Sequence, residues 1–391
     1  MIFSEFSHFS QLPASARWLL FVDLACLTGI LAALWSGVRH FMAARGPQGP
    51  RDDGRPSWAD RIAPIWVLGA CVGLASISIW NRYVEVNHFP SQTMSEVVVM
   101  FSGVLLLSLF ILHFALGLHR RAGGWAILDD ALLLIVFCAV PIIHHYARSL
   151  TTMQRDLPPA LQSYWFAPHL SSLMLSYATL GIAGVICLVY FVTRFWTGVF
   201  VGGRSKTSQI LIALGLILVP FAHFVTLPVF CLGGIVFWIL MSKGKLPDSA
   251  ALARIERDFD DVSFRAFAVG MPFLTLGLWM GAFWAQEAWA NYWGWDSKEN
   301  SALISWLIYV VYIHLRMLGG YRGEKAMGVL MGGALSIFIT FQLFGYLPDS
   351  QKNSLHKYTD DGVVPTEGMQ GPPPATESAR AEPPAGSEVE R

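Results

Sequence analysis

Tryptophans cluster in one short stretch of this chain, from Trp284 to Glu299. The stretch reads W-A-Q-E-A-W-A-N-Y-W-G-W-D-S-K-E, and apolar runs flank it on both sides. Its four tryptophans are Trp284, Trp289, Trp293 and Trp295. An indole combines a broad π face with one N–H donor, so it suits the boundary between hydrocarbon and water. The cluster predicts either an interfacial girdle or a platform for a flat, apolar ligand with polar edges.

Histidines that could ligate a metal flank this stretch. His169 follows Q-S-Y-W-F-A-P at the start of an apolar run, and His356 lies in N-S-L-H-K-Y after the last apolar run. Two neutral imidazoles could clamp the metal of a flat macrocycle from opposite faces. Each could equally be a solvated loop histidine. The other histidines in comparable positions are His88, His144 and His145.

His314 is different because it lies deep in the apolar run 301–318. Burying an imidazole costs free energy unless it is hydrogen-bonded or liganded, so a histidine in a membrane span is a functional candidate. The alternative is a histidine satisfied by a neighbouring Ser, Tyr or carbonyl group. We expect structural roles for His113 and His223.

Composition points to a membrane protein. The chain is 54% hydrophobic and 14% charged, and repeated apolar runs of about 20 residues mark membrane-spanning helices. Zero net charge without a long basic run excludes a nucleic-acid partner. The five cysteines lie in apolar runs and form no C-x-x-C motif, so we expect no dithiol chemistry from this chain. These features predict an all-α, polytopic transmembrane bundle of about ten spans.

The predicted spans are 18–38, 62–80, 97–118, 125–143, 170–193, two within 210–241, 266–286, 301–318 and 326–346. The run 210–241 is too long for one crossing, since a helix rises about 1.5 Å per residue and the hydrocarbon core is about 30 Å thick. Basic segments precede and follow this run, which therefore crosses an even number of times or forms a re-entrant pair. We interpret it as an inserted helical hairpin.

Arginine density fixes the predicted orientation. The loop after the first span carries Arg39, Arg45, Arg51, Arg55 and Arg61, which places it in the cytoplasm. The tryptophan stretch and the carboxyl terminus then lie outside. The predicted regions are 1–61 (first span and cytoplasmic loop), 62–196 (helices with external loops), 197–244 (hairpin), 245–358 (tryptophan-bearing region) and 359–391 (disordered tail).

A family resemblance rests on three segments. The run A-W-A-N-Y-W-G-W-D-S-K-E-N, followed by a helix carrying H-L-R, resembles the "WWD" signature of the CcsA (ResC) family of system II cytochrome c biogenesis. The family usually has Pro where this chain has Ser297. L-P-P-A-L-Q-S-Y-W-F-A-P-H resembles the family segment that ends in its first external histidine, His169 here. L-H-K-Y resembles the segment of the second, His356. The resemblance covers roughly residues 62–196 and 245–358.

The resemblance implies that the protein carries haem b across a bacterial inner membrane and presents it at the periplasmic face. There it would be attached to C-x-x-C-H of apocytochrome c, with a CcsB (ResB) partner subunit; a thiol-reducing partner is compatible with this function. It implies that His169 and His356 ligate the external haem and His314 an inner haem. It places Trp289, Trp293, Trp295 and Asp296 at the cofactor.

Several alternatives stay open at this point. The protein could be a haem exporter or chaperone that makes no covalent bond, or a haem-free membrane assembly subunit. Asp296 and Glu299 could instead pair with Lys298 or cap the following helix. Arg316 and Arg322 could meet haem propionates on the inner side or anchor the helix ends in the cytoplasm.

Overall fold

The computed structural model describes residues 6–43, 58–115, 124–150, 159–202, 206, 209–210, 212, 227–242 and 249–343. Within these ranges the chain forms nine α-helices and no β-strand. They are α1 Ala14–Ala43, α2 Trp58–Val86, α3 Met94–Ala115, α4 Gly124–Ser149, α5 Phe166–Phe200, α6 Leu227–Ser242, α7 Ser249–Trp289, α8 Ser297–Met317 and α9 Glu324–Phe338. The all-α prediction is confirmed. His223, His356 and the tail from Thr359 lie outside the described residues.

Seven helices are long and apolar enough to cross a membrane. They are α1 to α5, α7 and α9. The chain is therefore an integral membrane protein. The 21-residue α8 is not among the seven, because its first turns carry polar residues. Of the predicted hairpin, only the 16-residue α6 is described, so the number of crossings there stays a prediction.

Consecutive helices in the first half run antiparallel and are tied at their ends. Ser95 Oγ at the start of α3 donates to the Ala147 carbonyl near the end of α4 at 2.9 Å. The loop between α2 and α3 is shorter than the predicted 81–96. It spans residues 87–93, because Glu96 folds back to accept from the main-chain N–H of Thr93 at 3.2 Å. Glu96 also pairs with Arg82 at 2.8 Å.

Helices α5 and α7 form the most extensive interface, and glycines bring their backbones together. A Cβ added at Gly277 would lie 2.5 Å from the side chain of Leu173, and one at Gly281 would lie 2.6 Å from the ring of His169. Neither distance is sterically tolerable. Small residues at these positions are therefore required for α5 to approach α7, as is common between helices in membranes. Helix α9 packs on α5 and pairs with α8.

An ion pair is buried where α7 and α8 meet. Helix α7 starts at Ser249, so most of the basic segment that follows the run 210–241 is a helical continuation of the next span. This extension brings Asp260 within 2.7 Å of Arg316, whose side chain is 1% exposed. The guanidinium lies 4.3 Å from the centre of the Phe264 ring. Arg316 is thus a buried partner in an ion pair, and its predicted roles as a propionate contact or a cytoplasmic anchor stay predictions.

Candidate functional site

A cavity lies at one end of the bundle, where α5 and α8 begin and α7 and α9 end. It is partly open, and about 860 Å³ of space outside protein atoms, solvent at the opening included, lies within it. Its wall is mostly apolar. The lining residues are His169, Leu170, Leu173, Met174, Tyr177, Leu278, Gly281, Ala282, Tyr292, Trp293, Lys298, Glu299, Ala302, Thr340 and Phe341. Two predicted site residues, His169 and Trp293, meet here.

His169 is held in a defined tautomer. Its Nδ1 lies 2.8 Å from the carbonyl oxygen of Gly277 on α7. A carbonyl oxygen only accepts, so Nδ1 of the neutral ring carries the proton and Nε2 carries the lone pair. A metal-ligating histidine typically shows this arrangement, with one ring nitrogen donating to a backbone carbonyl and the other facing the metal. His169 can therefore serve as an axial ligand from the cavity wall.

Trp284 supports the His169 ring from behind. The two rings are stacked, with centroids 5.5 Å apart and 23° between their planes. The indole is 4% exposed, and its Nε1 donates to the carbonyl oxygen of Ala160 at 2.7 Å. This bond ties the short helical turn Pro159–Gln162 to α7. Sequence reasoning placed Trp284 in the cluster but did not assign it this role, because the contact joins residues 124 positions apart.

The remaining three tryptophans have different surroundings. Trp289 packs edge-on against Trp284, with centroids 4.8 Å apart. Trp293 lines the cavity, and its Nε1 is buried without a hydrogen-bond partner. Trp295 is 72% exposed and its φ is +56°, a value that a bulky residue rarely adopts. Of the four tryptophans in the predicted platform, Trp293 lines the cavity, Trp284 and Trp289 pack against each other, and Trp295 is exposed.

The acidic residues at the end of the stretch organise the loop. Asp296 is the N-cap of α8 and forms a capping box with Glu299. Glu299 Oε2 accepts from the main-chain N–H of Gly294 at 2.9 Å and of Asp296 at 3.1 Å. These bonds fix the loop that carries Trp293. Asp296 therefore has a demonstrated structural task, and its predicted contact with a cofactor stays a prediction.

The far wall of the cavity is formed where α9 loosens into a π turn, Ile339–Leu343. Thr340 and Phe341 of this turn line the cavity. Phe341 also packs edge-on against Tyr177 of α5, with centroids 6.3 Å apart. Single π turns within helices are frequent at functional sites.

His314 is separate from the cavity. It lies in the last turn of α8, nearer the helix end than predicted, because the chain turns away at Gly319 and Gly320, where φ reaches +64°. Twelve residues of helix, about 18 Å at about 1.5 Å per residue, separate it from Ala302 in the cavity wall. Its Nδ1 lies 2.7 Å from the Val310 carbonyl, so Nε2 again carries the lone pair. The side chain is exposed.

The other described histidines are not part of the cavity. His144 is buried, with Nδ1 2.6 Å from Asp23 Oδ1 and Nε2 2.6 Å from Ser102 Oγ. His113 pairs with Asp129 at 2.9 Å. His88 contacts its neighbour's carbonyl, and His145 is exposed. Among the described residues, no group of three or more His, Cys, Asp or Glu side chains could hold a metal ion.

Comparison with known proteins agrees with this architecture. Residues 75–348 match the family described as cytochrome C assembly protein. The chain is 34% identical over 308 residues to the cytochrome c biogenesis protein CcsA of Crocosphaera subtropica, covering 73% of this chain and 88% of the relative. It is 29% identical over 293 residues to CcsA of the liverwort Marchantia polymorpha, covering 72% and 84%. It is 26% identical over 317 residues to CcsA of Gloeobacter violaceus, covering 76% and 88%. The chain therefore belongs to the cytochrome c assembly protein family and, within it, to the CcsA family.

Proposed function

We propose that the cavity beside His169 binds haem b and presents it for covalent attachment to C-x-x-C-H of apocytochrome c. The observation that carries this proposal is the tautomer of His169. The Gly277 carbonyl fixes the proton on Nδ1, so the lone pair is on Nε2, the nitrogen that would ligate iron. The residues present fit such a group: apolar and aromatic walls, one imidazole and a buried indole N–H without a partner. His356, outside the described residues, is the proposed second axial ligand.

The chemistry required of the protein is positioning. Bound haem would supply two vinyl groups, to which the cysteine thiols add. The protein would hold the macrocycle in one orientation while the thiols approach, and proximity of this kind needs no general acid or base. His169, fixed by α7 and supported by Trp284, is suited to that task. Release would follow when the histidine of C-x-x-C-H replaces one axial ligand.

We further propose that His314 contributes to an inner haem site completed by a CcsB (ResB) subunit. His314 shares its face of α8 with an exposed apolar stripe: Ile304, Leu307, Val311 and Leu318. An imidazole facing lipid is unfavourable, so a second protein subunit that covers this face would both shield the ring and supply another ligand. The cavity lies at the start of α8 and His314 near its end, and this separation fits transport of haem from one membrane face to the other.

Charge supports the proposed sidedness. The connections that join helix ends opposite the cavity carry many basic residues: Arg45, Arg51, Arg55, Arg120, Arg121, Arg204, Lys243 and Lys245. Basic loops face the cytoplasm. The cavity would then face the periplasm of a bacterial inner membrane. A reporter fused after residue 358 should register a periplasmic location, and a cytoplasmic signal would overturn the orientation.

The test is the absorption spectrum of the full chain purified with its partner subunit, first oxidised and then reduced. We expect a sharp low-spin Soret band with split α and β bands. His169→Gly should lose the contribution of the external haem, and added imidazole should restore it. His145→Ala is the matched control, because His145 is exposed and does not line the cavity. A colourless complex, even with ample haem, would leave the tryptophan stretch as an interfacial girdle.

A second assay separates attachment from export. The complex is expressed with an apocytochrome c in cells that lack other attachment machinery. Covalently bound haem on the cytochrome supports the synthase function. A haem-loaded complex without covalent product would instead indicate an exporter or chaperone.

A further inference from the structure

We propose that Lys298 and Trp293 form a carboxylate-binding subsite at one edge of the cavity, which takes a propionate of the bound haem. This inference rests on the proposed haem-binding function. The subsite would also determine how the haem is oriented in the cavity, because only one edge of a haem carries carboxylates. The two residues lie on the loop before α8 and in its first turn, and both line the cavity.

The indole of Trp293 is the first reason. Its Nε1 is buried and has no hydrogen-bond partner. An indole N–H only donates, and leaving a buried donor unpaired costs about 1–3 kcal/mol. Trp293 packs edge-on against Trp295, with centroids 6.1 Å apart, and this contact supplies no acceptor for Nε1. An acceptor supplied by a ligand would satisfy this donor.

The position of Lys298 is the second reason. It is the only cationic residue among the side chains that line the cavity in the described part of the chain. It lies in the first turn of α8, directly after Ser297. The positive end of a helix dipole disfavours a cation there. The helix dipole therefore does not favour the lysine at this position, whereas contact with an anion bound in the cavity would be favourable.

Glu299 also lines the cavity, and its Oε2 accepts from the N–H groups of Gly294 and Asp296. These bonds hold the carboxylate towards the loop backbone. The wall also contains the apolar residues Leu170 and Leu173 of α5 and Leu278 of α7. We expect a propionate at Trp293 and Lys298, and the vinyl groups against the apolar part of the wall.

The experiment compares haem with its dimethyl ester, in which both propionates are esterified. The full chain is purified with its partner subunit from haem-depleted cells and titrated with each compound, and the Soret band reports binding. We expect wild type to bind haem at least about tenfold more tightly than the ester, since charge-assisted hydrogen bonds contribute more than neutral ones. Lys298→Met and Trp293→Phe should each weaken haem binding, leave ester binding unchanged and so reduce this preference.

Lys325→Met is the matched control. Lys325 occupies the same second position of helix α9, but α9 begins at the opposite end of the bundle from the cavity. This variant should keep the full preference for haem, and Lys298→Arg should restore part of it. Equal affinity of the wild type for haem and ester would overturn the subsite while leaving haem binding intact. Binding of neither compound would overturn the proposed function itself.

Discussion

His169 donates its Nδ1–H to the main-chain oxygen of Gly277 at 2.8 Å, across the interface between α5 and α7. The acceptor belongs to the backbone, so no side-chain substitution at residue 277 removes it directly. Orientation of the ring depends instead on how closely the two helices approach. The ligand geometry is therefore encoded in the glycines of α7 as much as in the histidine.

The first prediction concerns Gly281. In Gly281→Ala the new Cβ would meet the His169 ring at 2.6 Å, so the ring must move and its bond to Gly277 must lengthen. We expect a folded protein with lower haem occupancy and a broadened or shifted Soret band. Gly181→Ala on α5 is the control, because nothing lies within 4 Å of its new Cβ. Wild-type spectra for Gly281→Ala would show that ring position is not set by this contact.

The second prediction concerns Trp284. Trp284→Phe retains an aromatic ring but removes the 2.7 Å bond to Ala160. We expect faster hydrogen exchange in residues 159–165 and a loss of about 1 kcal/mol in the free energy of unfolding. Haem occupancy should fall as the stacking against His169 weakens. The matched control is Trp279→Phe, whose indole is 66% exposed. If exchange in this segment is unaffected, the bond does not hold the turn.

The third prediction concerns the ion pair between Asp260 and Arg316. Asp260→Asn leaves the buried guanidinium without a counter-charge, and breaking a buried pair typically costs about 3–5 kcal/mol. We expect a much lower thermal midpoint and yield. The neighbouring Asp261 pairs with Arg265 on an exposed face, so Asp261→Asn should have little effect. Similar midpoints for the two variants would contradict a structural role for the buried pair.

The fourth prediction concerns His144. Both of its ring nitrogens are already engaged, by Asp23 and Ser102, so it is not expected to ligate haem. His144→Ala should lower stability by about 1–3 kcal/mol by leaving buried polar groups without partners. The protein that folds should keep the wild-type haem spectrum. Loss of a low-spin haem signal in His144→Ala, but not in His145→Ala, would return His144 to the candidate ligands.

Much of the fold could be predicted from apolar runs, since length and hydropathy alone determine which segments span a membrane. The residues at which the helices begin and end were less predictable. The basic segment after the run 210–241 carried no helix prediction, but α7 begins in it at Ser249, and Asp260 pairs there with Arg316 of α8. Pairing of this kind depends on packing and leaves no local pattern.

Several residues of the site could be predicted from the sequence, but the contacts that give each residue its role could not. His169 and Trp293 were identified from motifs and both line the cavity. Trp284, Gly277 and Gly281 were not assigned a role. The bonds from Trp284 to Ala160 and from His169 to Gly277 each join residues more than one hundred positions apart, so no local motif reveals them. The separation of His314 from the cavity follows from helix geometry, and the residue's ligand role stays a prediction.

The glycines of α7 also determine which side of the cavity can move. Because Gly277 and Gly281 of α7 lie against the side chains of Leu173 and His169 of α5, sliding one helix along the other would drive these side chains into occupied space. We therefore expect α5 and α7 to move as one unit. Helix α8 touches α7 at few points and is joined chiefly to α9. Widening of the cavity for a broad, stiff ligand would then involve the start of α8, while the imidazole of His169 stays in place.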